Sequence, residues 1–362
     1  MSSIFNFINK DEIDIQHNYS INPSMKSYSN VYFRTSLSSF QQFQIPIALS
    51  ESKKYISISN KQLSFLPFHM GHFLGNQYAS ELKNQSLLLS QAEKNTFICI
   101  EEPVFLFFDY ESTCGSGHTY DLLFYLLYHF IKSGVKAKLL CVNQQKENIW
   151  YKKLLSLIQS YYPVEYIFIN EDTNYNFKKF YAIQSYQNIF FPHVKEFIKE
   201  TLITPIIQKF SNTDFPFSET VYKIKVKNSS NINDSYNFEL NSSVKNFLDS
   251  KKALNLDDYS EEEKIYLLHK AKTIYCSWGS SWYINICYYI SDYSDKFFHC
   301  IFHETLAQTE YDFISQIQET PPLLKGNMPL WATNYSDQQI YTSLIVNGKK
   351  YRSYTLDFLQ NN

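Results

Sequence analysis

Residues 275–285 read YCSWGSSWYIN, a Gly-Ser-Ser turn set between two apolar runs. The residues before the turn read as a strand, and those after it as a helix. Such a junction leaves backbone N–H groups open at the helix start, a common way to hold a phosphate. Gly279 lets the backbone come close to a ligand, and Ser280 and Ser281 can cap the helix or donate to a phosphate oxygen. The same residues equally serve as a plain strand-to-helix turn with a Ser cap. Neither a P-loop nor a G-x-G-x-x-G accompanies them. The next strand, KFFHCIFHE, ends in His303-Glu304. A carboxylate at the end of the neighbouring strand can accept hydrogen bonds from ribose hydroxyls, so turn and Glu304 together would make a nucleotide half-site. An ordinary polar strand end reads the same way.

A second group lies in CGSGHTYDLLFYLL, where His118 and Asp121 stand at a helix start. A spacing of three puts both on one helical face, where a His beside a carboxylate can act as base and orienter. A capping cluster built on Ser116 or Thr119 accounts for the same residues. FHMGHFLGNQYASEL holds His69, His72 and Glu81. No third ligand follows at a zinc-like spacing and H-E-x-x-H is absent, so a loop-to-helix junction near a cleft is the better reading of His72. No metal is expected. Ser-His-Asp hydrolysis is disfavoured because no G-x-S-x-G occurs. In KIKVK, Lys225 and Lys227 alternate with Ile224 and Val226 and share one strand face. That tract and EEEK read first as solvated faces, although the lysine face would suit a diphosphate if it lined a cleft.

The surrounding chain must position these groups. Its 362 residues suggest about two domains, and 44% apolar and 18% aromatic residues supply a large core. Arg occurs only at Arg34 and Arg352, while Asn, Lys, Ile, Tyr and Phe abound, the mark of an A+T-rich coding bias. A formal net charge of −2 with no basic stripe argues against nucleic acid as the main partner. The longest apolar windows, Leu122–Ile131 and Ile284–Ile290, have core-helix length, so neither a membrane anchor nor a signal peptide is expected and a cytoplasmic setting is. Six cysteines without a C-x-x-C pair read as reduced, mostly buried thiols.

From about residue 96, strands alternate with helices of ten to fifteen residues, the pattern of βαβ units and parallel sheets. Strands are expected at NTFICI, PVFLFFD, AKLLCV, EYIFIN and KFYAIQ, with helices at TYDLLFYLLYHFIKSG, stopped by Gly134, and NIWYKKLLSLIQSYY, ended by Pro163. HVKEFIKETLITPIIQKF is a helical segment interrupted by Pro205, and 211–219 a linker with Pro216. A second series follows: VYKIKVK, a helix at LNSSVKNFLDSK, a strand at ALNLDD, a helix at SEEEKIYLLHKAK capped by Ser260 with Glu263, then TIYCSW and KFFHCIFH. Asn347-Gly348 marks a hairpin in the tail. The first fifty or so residues, Ser/Asn-rich and weakly periodic, read as short strands or an irregular arm, and the expected division is an irregular or β-containing N-terminal extension over 1–95, a Rossmann-like domain over 96–212, a second over 218–330, and a tail over 331–362. Ligands in such sheets bind at the carboxyl ends of strands.

The order of these blocks resembles glycosyltransferase family 61. CGSGHTYDLLFYLL resembles the segment that opens the family's catalytic region, and KLLCVNQQKENIWYKKLLSLI its following strand and helix. VYKIKVKNSSNINDSYNFELNSSVKNFL resembles a strand, variable loop and helix. DDYSEEEKIYLLHKAKTIYCSWGSSWYINICYY resembles the most telling block, with Ala271, Gly279, Ser280 and Asn285 at the matching positions. The similarity runs over about residues 96–305, and its weight lies in the order of short motifs. The resemblance implies an α/β GT-B fold, with two Rossmann-like domains facing a cleft. It implies inverting transfer of a sugar from a nucleotide-sugar, commonly a UDP-sugar, to a hydroxyl of a glycan or glycoconjugate, without a required metal or other cofactor. On it, Asp121 is the acceptor base with His118 beside it. Trp278, Gly279, Ser280, Ser281, Asn285 and Glu304 hold the nucleotide-sugar, Lys227 or Lys225 neutralises the diphosphate, and His72 and His303 stand near the cleft. Two departures stand out. Trp278 precedes Gly279, and Lys227-Asn228 occupies the place of an Arg, which Lys does not replace at a bidentate phosphate contact. These departures motivate an alternative expectation, a catalytically inactive glycan-binding or scaffold protein on the same fold.

Overall fold

The structure is a computed structural model and describes residues 25–37, 44–56, 86–91, 94, 96–108, 116–143, 149–183, 192–223, 242–277, 289, 296–301, 339–340 and 354–355. The chain divides into two compact units, Met1–Val194 and Lys195–Asn362. Both are α/β, as the alternating pattern predicts.

In the first unit, β1 (Lys26–Leu37), β2 (Gln44–Leu49) and β3 (Tyr55–Ile56) form an antiparallel ladder. A parallel series follows: β4 (Ile98–Ile100), β5 (Val104–Leu106), α1 (Ser116–Ser133), β6 (Lys138–Asn143), α2 (Ile149–Tyr161), β7 (Tyr166–Asn170) and β8 (Asn174–Ala182). They join in one mixed sheet of order β3-β2-β1-β8-β5-β6-β7, and β4 also pairs with β8. β4 and β5 both lie along β8, separated by Glu101–Pro103, because Pro103 has no N–H to give a ladder. Asn30, at φ +51°, interrupts the β1–β8 pairing between Ser29 and Val31 without shifting its register. α1 ends where Gly134 takes φ +64°. Val31, Phe33, Phe108, Leu140, Val142, Ile169, Phe177 and Phe180 form the core. Each such side chain contributes about 1.5–3 kcal/mol by leaving water.

The expectation of short strands or an irregular arm over the first fifty residues falls short. β1 is twelve residues long and central to the sheet. Its inward residues Val31, Phe33 and Thr35 alternate as a half-buried strand requires, but Ser and Asn hide the pattern. Thr35 is buried with its hydroxyl donating to Gln44 Oε1 at 2.9 Å, and Gln44 donates in turn to the buried Glu171.

The expected interruption at Pro205 is not a break. α3 (Pro192–Ile198) runs into a π-helical turn at Lys199–Ile203 and then α4 (Thr204–Ser211). The Thr204 N–H reaches back to Lys199 O, and Pro205 follows in the first turn of α4, where its missing N–H costs nothing.

The second unit holds β9 (Thr220–Lys223), α5 (Ser242–Ser250), β10 (Leu254–Asn255), α6 (Glu261–Lys270), β11 (Thr273–Ser277) and β12 (Phe297–Ile301). These four strands are parallel in the order β10-β9-β11-β12. ALNLDD gives only a two-residue strand. Asn255 Oδ1 accepts the Asp257 N–H and closes a 3₁₀ turn over Leu256–Asp258. α6 has the predicted capping box, with Ser260 Oγ accepting the Glu263 N–H and Glu263 accepting the Ser260 N–H. At its other end, Lys296 donates to the carbonyls of Ala271 (2.7 Å) and His269 (3.0 Å), placing a cation on the negative end of the helix. Phe210 of α4 stacks on Tyr266 of α6. β13 (Gln339–Ile340) and β14 (Tyr354–Thr355) pair antiparallel on either side of Asn347-Gly348, which lies outside the described residues.

Candidate functional site

The second sheet sets where a ligand can sit. β9 is flanked by β10 on one side and β11 on the other, so the winding reverses between β9 and β11. Open parallel sheets bind ligands outside the carboxyl ends of strands at such a switch point. β11 ends at Ser277, in register one residue beyond Cys276, which faces Lys223 at the end of the described β9. The Gly-Ser-Ser turn follows β11 directly in the chain. Trp278, Gly279, Ser280, Ser281, Asn285, Lys225, Lys227, His72, His303 and Glu304 lie outside the described residues.

Within the described residues, the carboxyl side of this sheet carries a buried ionic network. α6 follows β10 and precedes β11, both parallel to β9, so the start of α6 lies on that side. Lys264 is fully buried and its Nζ lies 2.7 Å from Glu261 Oε1, itself buried. The Tyr289 hydroxyl donates to the other carboxylate oxygen, Glu261 Oε2, at 2.6 Å. Lys223 Nζ lies 3.1 Å from Asp257 Oδ1. The lysine side chain is 5% exposed and the aspartate 41%. Burial depresses the Lys223 pKa, the Lys264 charge adds to that, and Asp257 and Glu261 oppose it.

Sequence reasoning missed this network. KIKVK and EEEK read as solvated faces, yet Lys223, Glu261 and Lys264 are all buried. One signal was available. Lys264 follows Glu261 by three residues on a helix whose apolar run Ile265-Tyr266-Leu267-Leu268 leaves little exposed face.

In the first unit, β5, β6 and β7 lie side by side and parallel, connected by α1 and α2. α1 begins at Ser116, which places His118 in its first turn and Asp121 in its second. This start follows the carboxyl end of β5. At the ends of the next two strands Asn143 Nδ2 donates to Asn170 Oδ1 at 3.1 Å. Farther along α1, His129 stacks edge-on against Tyr125 and Tyr128, with its ring 6.5 Å from that of His193. Burial, helped by His193, lowers the His129 pKa to about 4. Cys141 is buried in β6 and its thiol is pushed up to about 12, so it is an inert core thiol.

Among the described residues, no group of three or more His, Cys, Asp or Glu side chains could hold a metal ion. No described helix is long and apolar enough to cross a membrane. Compared with protein-family models and with curated proteins, the chain matches neither.

Proposed function

We propose that this chain is a glycosyltransferase of GT-B type, moving a sugar from a nucleotide-sugar to a hydroxyl of a glycan or glycoconjugate with inversion. The observation that carries the reading is the parallel β10-β9-β11-β12 sheet, whose winding reverses beside the strand that runs into Trp278-Gly279-Ser280-Ser281. A phosphate seat at that point agrees with the motif order that resembles family 61. The first unit, with His118 and Asp121 where a helix follows a parallel strand, suits the acceptor side.

In this mechanism Asp121 takes the acceptor proton and His118 orients it. The Gly279–Ser281 backbone and hydroxyls, with Lys227 or Lys225, stabilise the departing diphosphate. Glu304 and Asn285 complete the nucleotide-sugar seat. UDP is the nucleotide of first choice, and no metal or other cofactor takes part. The second reading, a glycan-binding protein without activity, draws on the absence of any Arg between Arg34 and Arg352. Arg34 is itself engaged, paired with Asp172 at 2.7 Å.

Calorimetric titration with UDP, GDP, CMP and dTDP, with Lys227→Ala as control, tests the reading. Saturable binding of one nucleotide, weakened by the substitution, supports a transferase. A folded protein that binds none of the four overturns it.

A further inference from the structure

β6 and β7 run parallel, with Leu139 opposite Tyr166, Cys141 opposite Phe168 and Asn143 opposite Asn170. Side chains alternate across a strand, so these six share one face of the sheet. The start of that face is closed. Leu139 and Cys141 are buried, and the Tyr166 hydroxyl donates to Leu155 O of α2 at 2.9 Å. The carboxyl end is open. Phe168 is 49% exposed, and among the described residues its only ring contact is Tyr166, at 6.0 Å. Asn143 and Asn170 are both exposed, and Asn143 Nδ2 donates to Asn170 Oδ1 at 3.1 Å. An amide side chain has one acceptor oxygen and two N–H donors. The bond between them therefore leaves Asn143 Oδ1 free to accept and Asn170 Nδ2 free to donate. One Asn means little in so Asn-rich a chain, and one exposed Phe is ordinary. The weight lies in their register. Two amides on the last rung of a parallel pair stand next to an exposed ring on the same face, at the end of the sheet where α/β folds take ligands.

We propose that this end of the face binds one sugar unit of a glycan, with the Phe168 ring against the sugar's C–H face and the Asn143–Asn170 pair on its hydroxyls. Residues two apart on a strand are about 6.6 Å apart, close enough for one sugar ring to touch both Phe168 and the amides. The face of an aromatic ring is partly negative and attracts polarised C–H groups. A hydroxyl donates and accepts at once, and so matches a pair that offers one free acceptor and one free donor group. A phosphate only accepts and would meet the Asn143 carbonyl oxygen, so a neutral polyol suits the pair better. The inference deepens the transferase reading and rests on it for the sugar's role, that of acceptor; the binding itself requires no transfer. β7 lies two strands from β5, about 10 Å away. β5 leads to α1, where His118 and Asp121 stand. The subsite therefore holds a sugar unit set back from the reacting hydroxyl, and it favours an oligosaccharide acceptor over a single sugar.

The test incubates the whole protein, with and without UDP, on a printed array of neutral oligosaccharides ending in glucose, galactose, mannose, xylose or N-acetylglucosamine. The best-bound oligosaccharide is then titrated in solution into wild type, Phe168→Ala, Phe168→Tyr and Asn170→Ala, with UDP titrated in parallel and folding checked by circular dichroism. Phe168→Ala should weaken oligosaccharide binding by about tenfold, the upper worth of an aromatic contact. Asn170→Ala should weaken it by about threefold to tenfold, the worth of a neutral hydrogen bond. Phe168→Tyr keeps the ring and should bind as wild type does. Both positions are exposed, so these variants should fold and should bind UDP unchanged. Oligosaccharide binding that Phe168→Ala and Asn170→Ala leave unchanged overturns the subsite, as does a protein that binds UDP but nothing on the array; either result spares the transferase reading. Oligosaccharide binding weakened by both substitutions, with no UDP, GDP, CMP or dTDP bound, keeps the subsite and sinks that reading. A folded protein that binds neither nucleotide nor oligosaccharide overturns both.

Discussion

The Lys264 ammonium lies 2.7 Å from Glu261 Oε1, one turn back along α6, with both side chains buried. A pair at this spacing on an exposed helix face is worth a few tenths of a kcal/mol. Buried, the same pair is different in kind. Its net worth is small, but each charge depends on the other, since removing one leaves an uncompensated ion in the interior. Lys264→Met should therefore destabilise the protein by about 3–5 kcal/mol. The double variant Lys264→Met with Glu261→Gln should recover much of that loss, because the amide can still accept from Tyr289 and carries no charge. Urea unfolding of the wild type, both single variants and the double variant closes the cycle. Additive losses in the double variant would show that the two residues do not act as a pair.

The network was legible only after the fold was known. Ser260, Glu263 and the acids between them announce the start of α6 in the sequence, and the structure has that capping box. The type of most elements followed in the same way: Gly134 ends α1, and β11 is the apolar run before the turn. What composition could not convey was which charged residues turn inward. KIKVK alternates cleanly, but alternation gives two faces without saying which turns inward, and at Lys223 it is the lysine side, buried beside Asp257. The same ambiguity hid β1, whose inward positions include Thr35, a polar residue made inward-compatible only by Gln44 across the ladder. Pro205 misled for another reason. Its effect depends on the hydrogen-bond pattern before it, and the π-turn at Lys199–Ile203, closed by the Thr204 N–H on Lys199 O, carries the helix up to proline without a break. The site residues at Gly279–Ser281, Lys225, Lys227 and Glu304 stand outside the described residues, so their reading is still the sequence's own.

His129 gives a pH dependence with a definite sign. Its folded pKa of about 4 is below the usual value of 6.5, because burial and the neighbouring His193 disfavour the imidazolium. The unfolded chain therefore binds the proton more readily than the folded one. The neutral ring contributes its full stability above pH 6.5, and that contribution is lost as the pH falls from 6.5 to about 4. After allowance for partial solvent screening, the loss is on the order of 2 kcal/mol. His129→Leu should lower stability at pH 7.5, since the Tyr125 and Tyr128 ring contacts go, yet narrow its deficit relative to wild type as the pH drops through this window. Unfolding free energies measured at half-unit pH steps provide the check. Parallel curves for the two proteins would remove His129 as the source.

The proposed acceptor side has its own decisive substitution. α1 begins at Ser116, where the chain arrives from the carboxyl end of β5, and a group meant for chemistry belongs there rather than deeper along the helix. His118, Tyr120 and Asp121 are the titratable residues of its first two turns, and Tyr120 is buried. If Asp121 takes the acceptor proton, Asp121→Ala should lower the turnover of sugar transfer by about a hundredfold to ten-thousandfold, the usual contribution of a positioned base. Nucleotide binding should be unchanged, because the proposed seat follows strands of the second unit. His118→Ala should give a smaller loss and shift the acid limb of the pH–rate profile, since an orienting imidazole sets the protonation of its neighbour. Turnover is measured with a radiolabelled UDP-sugar once binding has identified the nucleotide, and binding of UDP is followed in parallel. An Asp121→Ala protein with full turnover would transfer the role of base elsewhere. One that loses turnover and nucleotide binding together would assign Asp121 to the structure of α1 instead.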